Sequence, residues 1–130
     1  MLAQGLELRA VWTRSGEYYF AYPDGRPWAG EMGPVQHLLA AVVGCVGITM
    51  QSILTKMKID HNGITIDAVA TKADRNPTYV QSISLRATVH GAAAHDAQLL
   101  ARVSELTEKN CLVAQTLKRS SEVTMFAEMG

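Results

Sequence analysis

The sequence predicts an α+β fold: a single domain over residues 1–130, with antiparallel sheet wrapped about one long buried helix. Three observations predict it. Between Gly33 and Met57 lies a stretch, GPVQHLLAAVVGCVGITMQSILTKM, that is apolar almost all round from Leu38 to Met50, broken only by Gly44, Gly47 and Thr49. Four segments alternate apolar and polar residues in period two and fall into two pairs. A later segment shows the apolar stripe of an amphipathic helix.

The central stretch opens with Pro34 after Gly33, a helix-start pair, because proline has no N–H to leave unbonded in the first turn. A surface helix would be striped, so an all-round apolar one has to be enclosed on every side. The apolar run is shorter than the ~18–20 residues that cross a bilayer, which favours a buried central helix over a membrane span. A chain of 130 residues has little material for wrapping such a helix, which points to a second copy as part of the cover.

Ahead of the helix, residues 6–14 (LELRAVWTR) and 17–22 (EYYFAY) read as strands joined by Ser15-Gly16. Pro23-Asp24-Gly25 turns the chain into a loop carrying Arg26, Trp28 and Glu31. After the helix, Asp60 to Gly63 is a turn. Residues 64–72 and 79–90 then form a second hairpin about the turn at 74–77, with a bulge expected between Val80 and Ile83. Residues 93–108 give the amphipathic helix, with Leu99, Leu100, Val103 and Leu106 on its apolar side. Cys111 opens a short second helical segment, and Glu122 to Phe126 (EVTMF) reads as a closing strand.

Basic and acidic residues balance at 12 each, so no net field draws the chain to nucleic acid or an anionic membrane. The first residues, MLAQGLELRAVW, lack the basic and apolar pattern of an export signal, giving a cytoplasmic expectation. His37, His61, His90 and His95 have no spacing that joins either cysteine into a metal site, so neither a metal nor a cofactor is expected. No phosphate-binding glycine loop and no serine nucleophile elbow occurs.

Cys45 and Cys111 are the candidates for chemistry. A thiol buried in an apolar helix has its pKa raised and stays inert unless something restores the thiolate. Gly44 and Gly47 strip bulk from the helix around Cys45, so a partner backbone or a ligand has room to approach. Cys111 stands where a new helix begins, and the free N–H groups there favour a thiolate, which by electrostatics makes it the easier of the two to ionise. For each, the plain alternative is a small buried hydrophobe.

The segment from Gly33 to Cys45 resembles the signature of the OsmC and organic hydroperoxide resistance (Ohr) proteins, in which a proline begins a long central helix and a cysteine follows an alanine-rich stretch. The segment KNCLVAQTL around Cys111 resembles that family's second motif, and the order of strands and helices is similar along essentially the whole chain. The resemblance implies an intertwined homodimer that reduces organic hydroperoxides. Cys45 would attack the peroxide, Cys111 would resolve the product to a disulfide, and an external dithiol would reduce it. It also implies an arginine near the attacking thiol, for which Arg26 fits best.

Both motifs depart from the family pattern. A glutamate expected just after Pro34 is replaced by Val35 and Gln36, and a proline and a serine after Cys111 by Leu112 and Ala114. Gln36 hydrogen-bonds without neutralising an arginine, and Glu31 is the nearby carboxylate that would substitute. Gln36 precedes Cys45 by nine residues, so at ~100° per residue it lies across the helix from that thiol and would assist only through a partner's cysteine. A pocket of Leu38, Val42, Trp28 and Tyr19 would suit an alkyl or aryl peroxide. The rival expectations are an OsmC-like binder of small molecules or thiol adducts, and a structural dimer with inert cysteines.

Overall fold

The computed structural model describes residues 6–93, 97–119, 122–127 and 129. Its elements run β1 (Glu7–Thr13), β2 (Tyr18–Ala21), α1 (Pro34–Lys56), β3 (Gly63–Lys72), β4 (Val80–His90), α2 (Ala97–Asn110) and α3 (Leu112–Arg119). The strands form one antiparallel sheet in the order β2-β1-β3-β4. The α+β architecture read from the sequence is therefore present, with both hairpins in place.

Period-two alternation does what it should. Leu8, Ala10 and Trp12 of β1 and Ile64, Ile66, Ala68 and Ala70 of β3 point to one face and are buried. Against them α1 lays Leu39, Val42, Val43, Val46, Met50 and Leu54. The opposite face is polar. There Arg9 donates from Nε to Asp67 Oδ1 at 2.6 Å and from Nη2 to Oδ2 at 3.2 Å, clamping β1 to β3 across their register. Between β3 and β4 the register slips: Thr71 faces Ser82 while Lys72 faces Val80, so Gln81 is the extra residue where the bulge was expected.

α1 starts as its sequence dictates, with Pro34 in the first turn and the Gln36 side chain accepting from the Gly33 N–H at 2.8 Å. It stops where Lys58 takes a left-handed φ of 58° and Ile59 N–H donates back to the Leu54 carbonyl at 3.0 Å. Gly47 sets how closely the helix sits on the sheet, since a Cβ there would come within 3.0 Å of three atoms of the Trp12 indole. Trp12 is in turn stacked on Tyr18, its cross-strand partner, at 4.5 Å between centroids. By length and composition alone α1 would pass for a membrane span, yet its inward face is the core of the domain.

Enclosure of α1 is incomplete within one chain. His37, Ala41, Ile48, Ser52 and Thr55 form an exposed stripe, with Ile48 58 % exposed. β4 is an edge strand whose inward-facing Leu85 and Ala87 are also exposed. One element departs from expectation: residues 122–126 form no strand. They extend without regular structure, and Val123, Met125 and Phe126 are 87 %, 90 % and 85 % exposed. Their alternation is that of a strand, but among the described residues no strand pairs with them. The amphipathic helix is found as α2, with Val103 and Thr107 buried and Leu99 exposed; residues 94–96 of the predicted span lie outside the described ones.

Candidate functional site

α1 presents Leu38, Val42, Cys45 and Thr49 along one side, at spacings of four, three and four. The junction of α2 and α3 is fixed above that side. Asn110 Nδ2 donates to the Leu106 carbonyl at 2.8 Å and closes the end of α2. Gln115 N–H donates to the Cys111 carbonyl at 3.0 Å, and Gln115 Nε2 to the Glu108 carbonyl at 2.9 Å. Cys111 is thus the single non-helical residue between two helices, fully buried, with its sulfur turned to Cys45. The first N–H groups of α3, which have no partner inside that helix, fall on the Cys45 sulfur.

The two thiols are unbridged and close enough for each to shift the other's titration. Burial pushes the Cys45 thiol up. The Val113 N–H, the Cys111 thiol, the Leu112 N–H and the Thr49 hydroxyl outweigh that and hold it below the ordinary thiol value. Burial pushes the Cys111 thiol up as well. The Ala114 N–H relieves this only in part, and the neighbouring Cys45 adds to it. This corrects the expectation that the helix start makes Cys111 the easier to ionise. The N–H groups of α3 act on both sulfurs, those of Ala114 and Val113 on Cys111 and those of Val113 and Leu112 on Cys45.

The loop residues lie elsewhere in the protomer. Arg26 Nε donates to Asp24 Oδ2 at 2.8 Å, and its guanidinium lies over the Tyr22 ring at 4.7 Å. Tyr22 stacks on Trp28 at 4.4 Å, whose indole N–H is buried without a hydrogen-bond partner among the described residues. The carboxylate on Arg26 is that of Asp24, and Glu31 is exposed. Within one chain the groups that lower Cys45 are N–H groups of α3, the Cys111 thiol and the Thr49 hydroxyl, and the Arg26 guanidinium is not among them. Gln36 is buried at the start of α1, where its amide completes the helix cap.

The single pocket expected of Leu38, Val42, Trp28 and Tyr19 is two separate hollows. Leu38 and Val42, with Val46 and Met50, floor a trough of about 580 Å³ between β4 and the α2/α3 pair. At its rim Lys118 is bonded to Glu108. Neither cysteine is among the described residues lining it. Tyr19 and Trp28, with Phe20, Pro27 and Met32, line a shallower hollow of about 370 Å³. Among the described residues no group of three or more His, Cys, Asp or Glu side chains converges as a metal site.

The sequence matches the family of OsmC-like proteins over residues 27–126. The chain belongs to the OsmC-like family. Its fold is similar to an OsmC-like hydroperoxide resistance protein from Jannaschia sp. CCS1, at 17 % identity and a TM-score of 0.63, covering 96 % of this chain and 94 % of the other. An OsmC-like protein of unknown function from Vibrio cholerae aligns at 21 % identity and a TM-score of 0.57, over 78 % of this chain and 72 % of that one. An OsmC-like protein from Mycoplasma pneumoniae aligns at 16 % identity and a TM-score of 0.59, over 91 % and 89 %. Among proteins of curated function, none is significantly similar in sequence.

In this OsmC-like chain the arrangement has the parts of a two-thiol cycle. One sulfur is easier to ionise and half-buried; the other is held protonated in contact with it. Sequence reasoning found both cysteines and missed the donors that act on Cys45. Thr49 stands four residues beyond it on α1, a helix-neighbour spacing that was there to be read. The N–H groups of Leu112 and Val113 carry no side-chain signature and depend on how α3 docks.

Proposed function

We propose that the protein is a thiol-dependent reductase of organic hydroperoxides that acts as a homodimer in the cytoplasm. The Cys45 thiolate attacks the outer peroxide oxygen; the O–O bond breaks, the alcohol leaves with a proton, and Cys45 becomes a sulfenic acid. The Cys111 thiol displaces water from that sulfur to give a disulfide, and an external dithiol reduces it and is itself oxidised. The observation that carries this reading is the contact between the two thiols, with the easier one to ionise also the more accessible. Membership of the OsmC-like family and the fold shared with a hydroperoxide resistance protein support it.

The exposed stripe of α1, the uncovered inner face of β4 and the exposed residues 122–126 support a second copy as the missing cover. On that reading Arg26, Trp28 and Glu31 act toward a thiol of the partner rather than their own. The test is consumption of cumene hydroperoxide with a dithiol donor by wild type, Cys45→Ser and Cys111→Ser. Cys45→Ser is expected to abolish turnover, and Cys111→Ser to stop it after one equivalent; equal rates in wild type and Cys45→Ser reject the assignment.

A second reading rests on the separation of the trough from the sulfurs: a binder of an apolar small molecule with little peroxidase activity. An apolar ligand held with equal affinity by wild type and Cys45→Ser, in a protein that leaves peroxide intact, would favour it.

A further inference from the structure

The free edge of the sheet and the end of the chain have matching patterns. β4 is the last strand in the order β2-β1-β3-β4, so its outer edge presents unpaired backbone groups. On its inner face Ile83, Leu85 and Ala87 line one wall of the trough, and Leu85 and Ala87 are exposed. On its outer face Arg86 is exposed, and the carboxylate across from it in the register, that of Asp67, is already bonded to Arg9. Residues 122–126 alternate in the same way, with Val123 and Met125 to one side and Glu122 and Thr124 to the other, all of them exposed. The helix that leads to them, α3, ends at the opposite rim of the trough, which Leu117 and Lys118 line. In their own chain they nonetheless leave the edge of β4 unpaired.

We propose that residues 122–126 of one copy add to the free edge of β4 in a second copy as an antiparallel fifth strand, and that the exchange is mutual. This rests on the homodimer reading and says which surfaces meet. A segment without a neighbour and an edge without a strand complete each other through main-chain hydrogen bonds, and the antiparallel direction continues that of every pair in the sheet. The side chains fix the register. With Glu122 opposite Arg86, Val123 faces Leu85, Thr124 faces Ser84 and Met125 faces Ile83. Carboxylate meets guanidinium on the outer face, and two apolar pairs meet on the inner one. A shift by one residue would turn Val123 and Met125 outward and Glu122 toward the trough. The strand ends at Phe126 beside Ser82, next to the Gln81 bulge that breaks the edge. Val123 and Met125 roof the open side of the trough of about 580 Å³, which makes the exchanged segment a wall of the other copy's apolar hollow. A mutual exchange obeys the two-fold symmetry of a homodimer.

The experiment is oxidation of the full chain carrying Ser84→Cys and Thr124→Cys together with Cys45→Ala and Cys111→Ala, read by non-reducing electrophoresis and by mass spectrometry of the bridged peptides. Directly opposed residues of neighbouring strands lie within disulfide reach. A covalent dimer bridged between positions 84 and 124 of different chains is expected. A bridge within one chain, or no bridge, overturns the proposal. A second arm needs no new cysteine: sedimentation of Arg86→Glu, of Glu122→Arg and of the double reversal in the otherwise native chain. Each single reversal is expected to weaken the dimer by about tenfold, because both copies of the pair are lost, and the double reversal to restore it. A double reversal no tighter than either single overturns the proposed pairing. A dimer that forms without the bridge refutes the strand exchange and leaves the homodimer standing, whereas a wild-type monomer refutes both.

Discussion

Gly47→Ala isolates the contact that seats α1 on the sheet. Two effects oppose each other. In a helix interior alanine is favoured over glycine by about 1 kcal/mol. Against that, the new Cβ would stand within 3.0 Å of three atoms of the Trp12 ring, all belonging to one rigid indole, so the ring must move as a body. It has nowhere easy to go, being 2 % exposed and stacked on Tyr18. Overpacking of a close-fitted core costs about 1–3 kcal/mol, and a ring displaced off a stacked neighbour belongs at the upper end. The net expectation is a loss of about 2 kcal/mol, or a fall in Tm of about 6–8 °C for a chain of this size. Thermal unfolding followed by far-UV circular dichroism measures it, at matched protein concentration. Trp12→Phe in the same background should recover part of the loss, because the smaller ring makes room. A Gly47→Ala protein with a Tm at or above wild type would show that helix propensity outweighs the clash and that the indole does not fix the helix.

Other expectations are independent of that contact. At pH 7 a short pulse of alkylating agent on the reduced protein should label Cys45 well ahead of Cys111; since only the thiolate reacts, labelling of Cys45 rises first as pH increases and Cys111 follows at higher pH, and the reverse order by mass spectrometry contradicts the site as described. On the proposed dimer, Ile48→Glu puts a charge on the exposed stripe of α1, so it should leave the protomer fold intact by circular dichroism while shifting sedimentation from dimer to monomer; a dimer unchanged by it would place the interface elsewhere, and a wild-type monomer would refute the dimer. Arg9→Met breaks a half-buried bidentate pair and should lower stability by about 1–2 kcal/mol in urea unfolding, with Asp67→Asn adding little once Arg9 is gone.

The parts of the fold that the sequence made legible are those whose signal is local. Alternation marked β1, β3 and β4, the Gly33-Pro34 pair marked the start of α1, and the slip between Val80 and Ile83 marked the bulge at Gln81. The site was half legible for the same reason. Cysteines are visible as residue types, so Cys45 and Cys111 stood out. The groups that act on them depend on docking. Adjacency in the chain shows the free N–H groups at the start of α3 acting on Cys111, as they do, but only the docking of α3 shows that they act on Cys45 as well. Gly44 and Gly47 looked equivalent. The structure separates them: a Cβ at Gly47 meets Trp12, and one at Gly44 meets nothing within 4 Å.

Residues 122–126 are instructive in a different way. Their alternation is as good as that of β1, which forms a strand, so pattern alone does not distinguish the two. What differs is a neighbour. β1 has β2 on one side and β3 on the other, whereas the terminal segment has none among the described residues and leaves three large apolar side chains exposed. β4 carries the complementary deficit: an unpaired edge, and inward-facing residues that α1 does not cover. Two incomplete surfaces in one chain, together with an apolar helix exposed along one stripe, form a single unmet requirement. The proposed second copy would answer all of it at once, since each chain would supply what the other lacks. The Cys45 side of α1 borders that stripe, so covering the helix would also exclude water from the attacking sulfur. On the proposed reading, the dimer and the thiol chemistry stand or fall on the same face of α1.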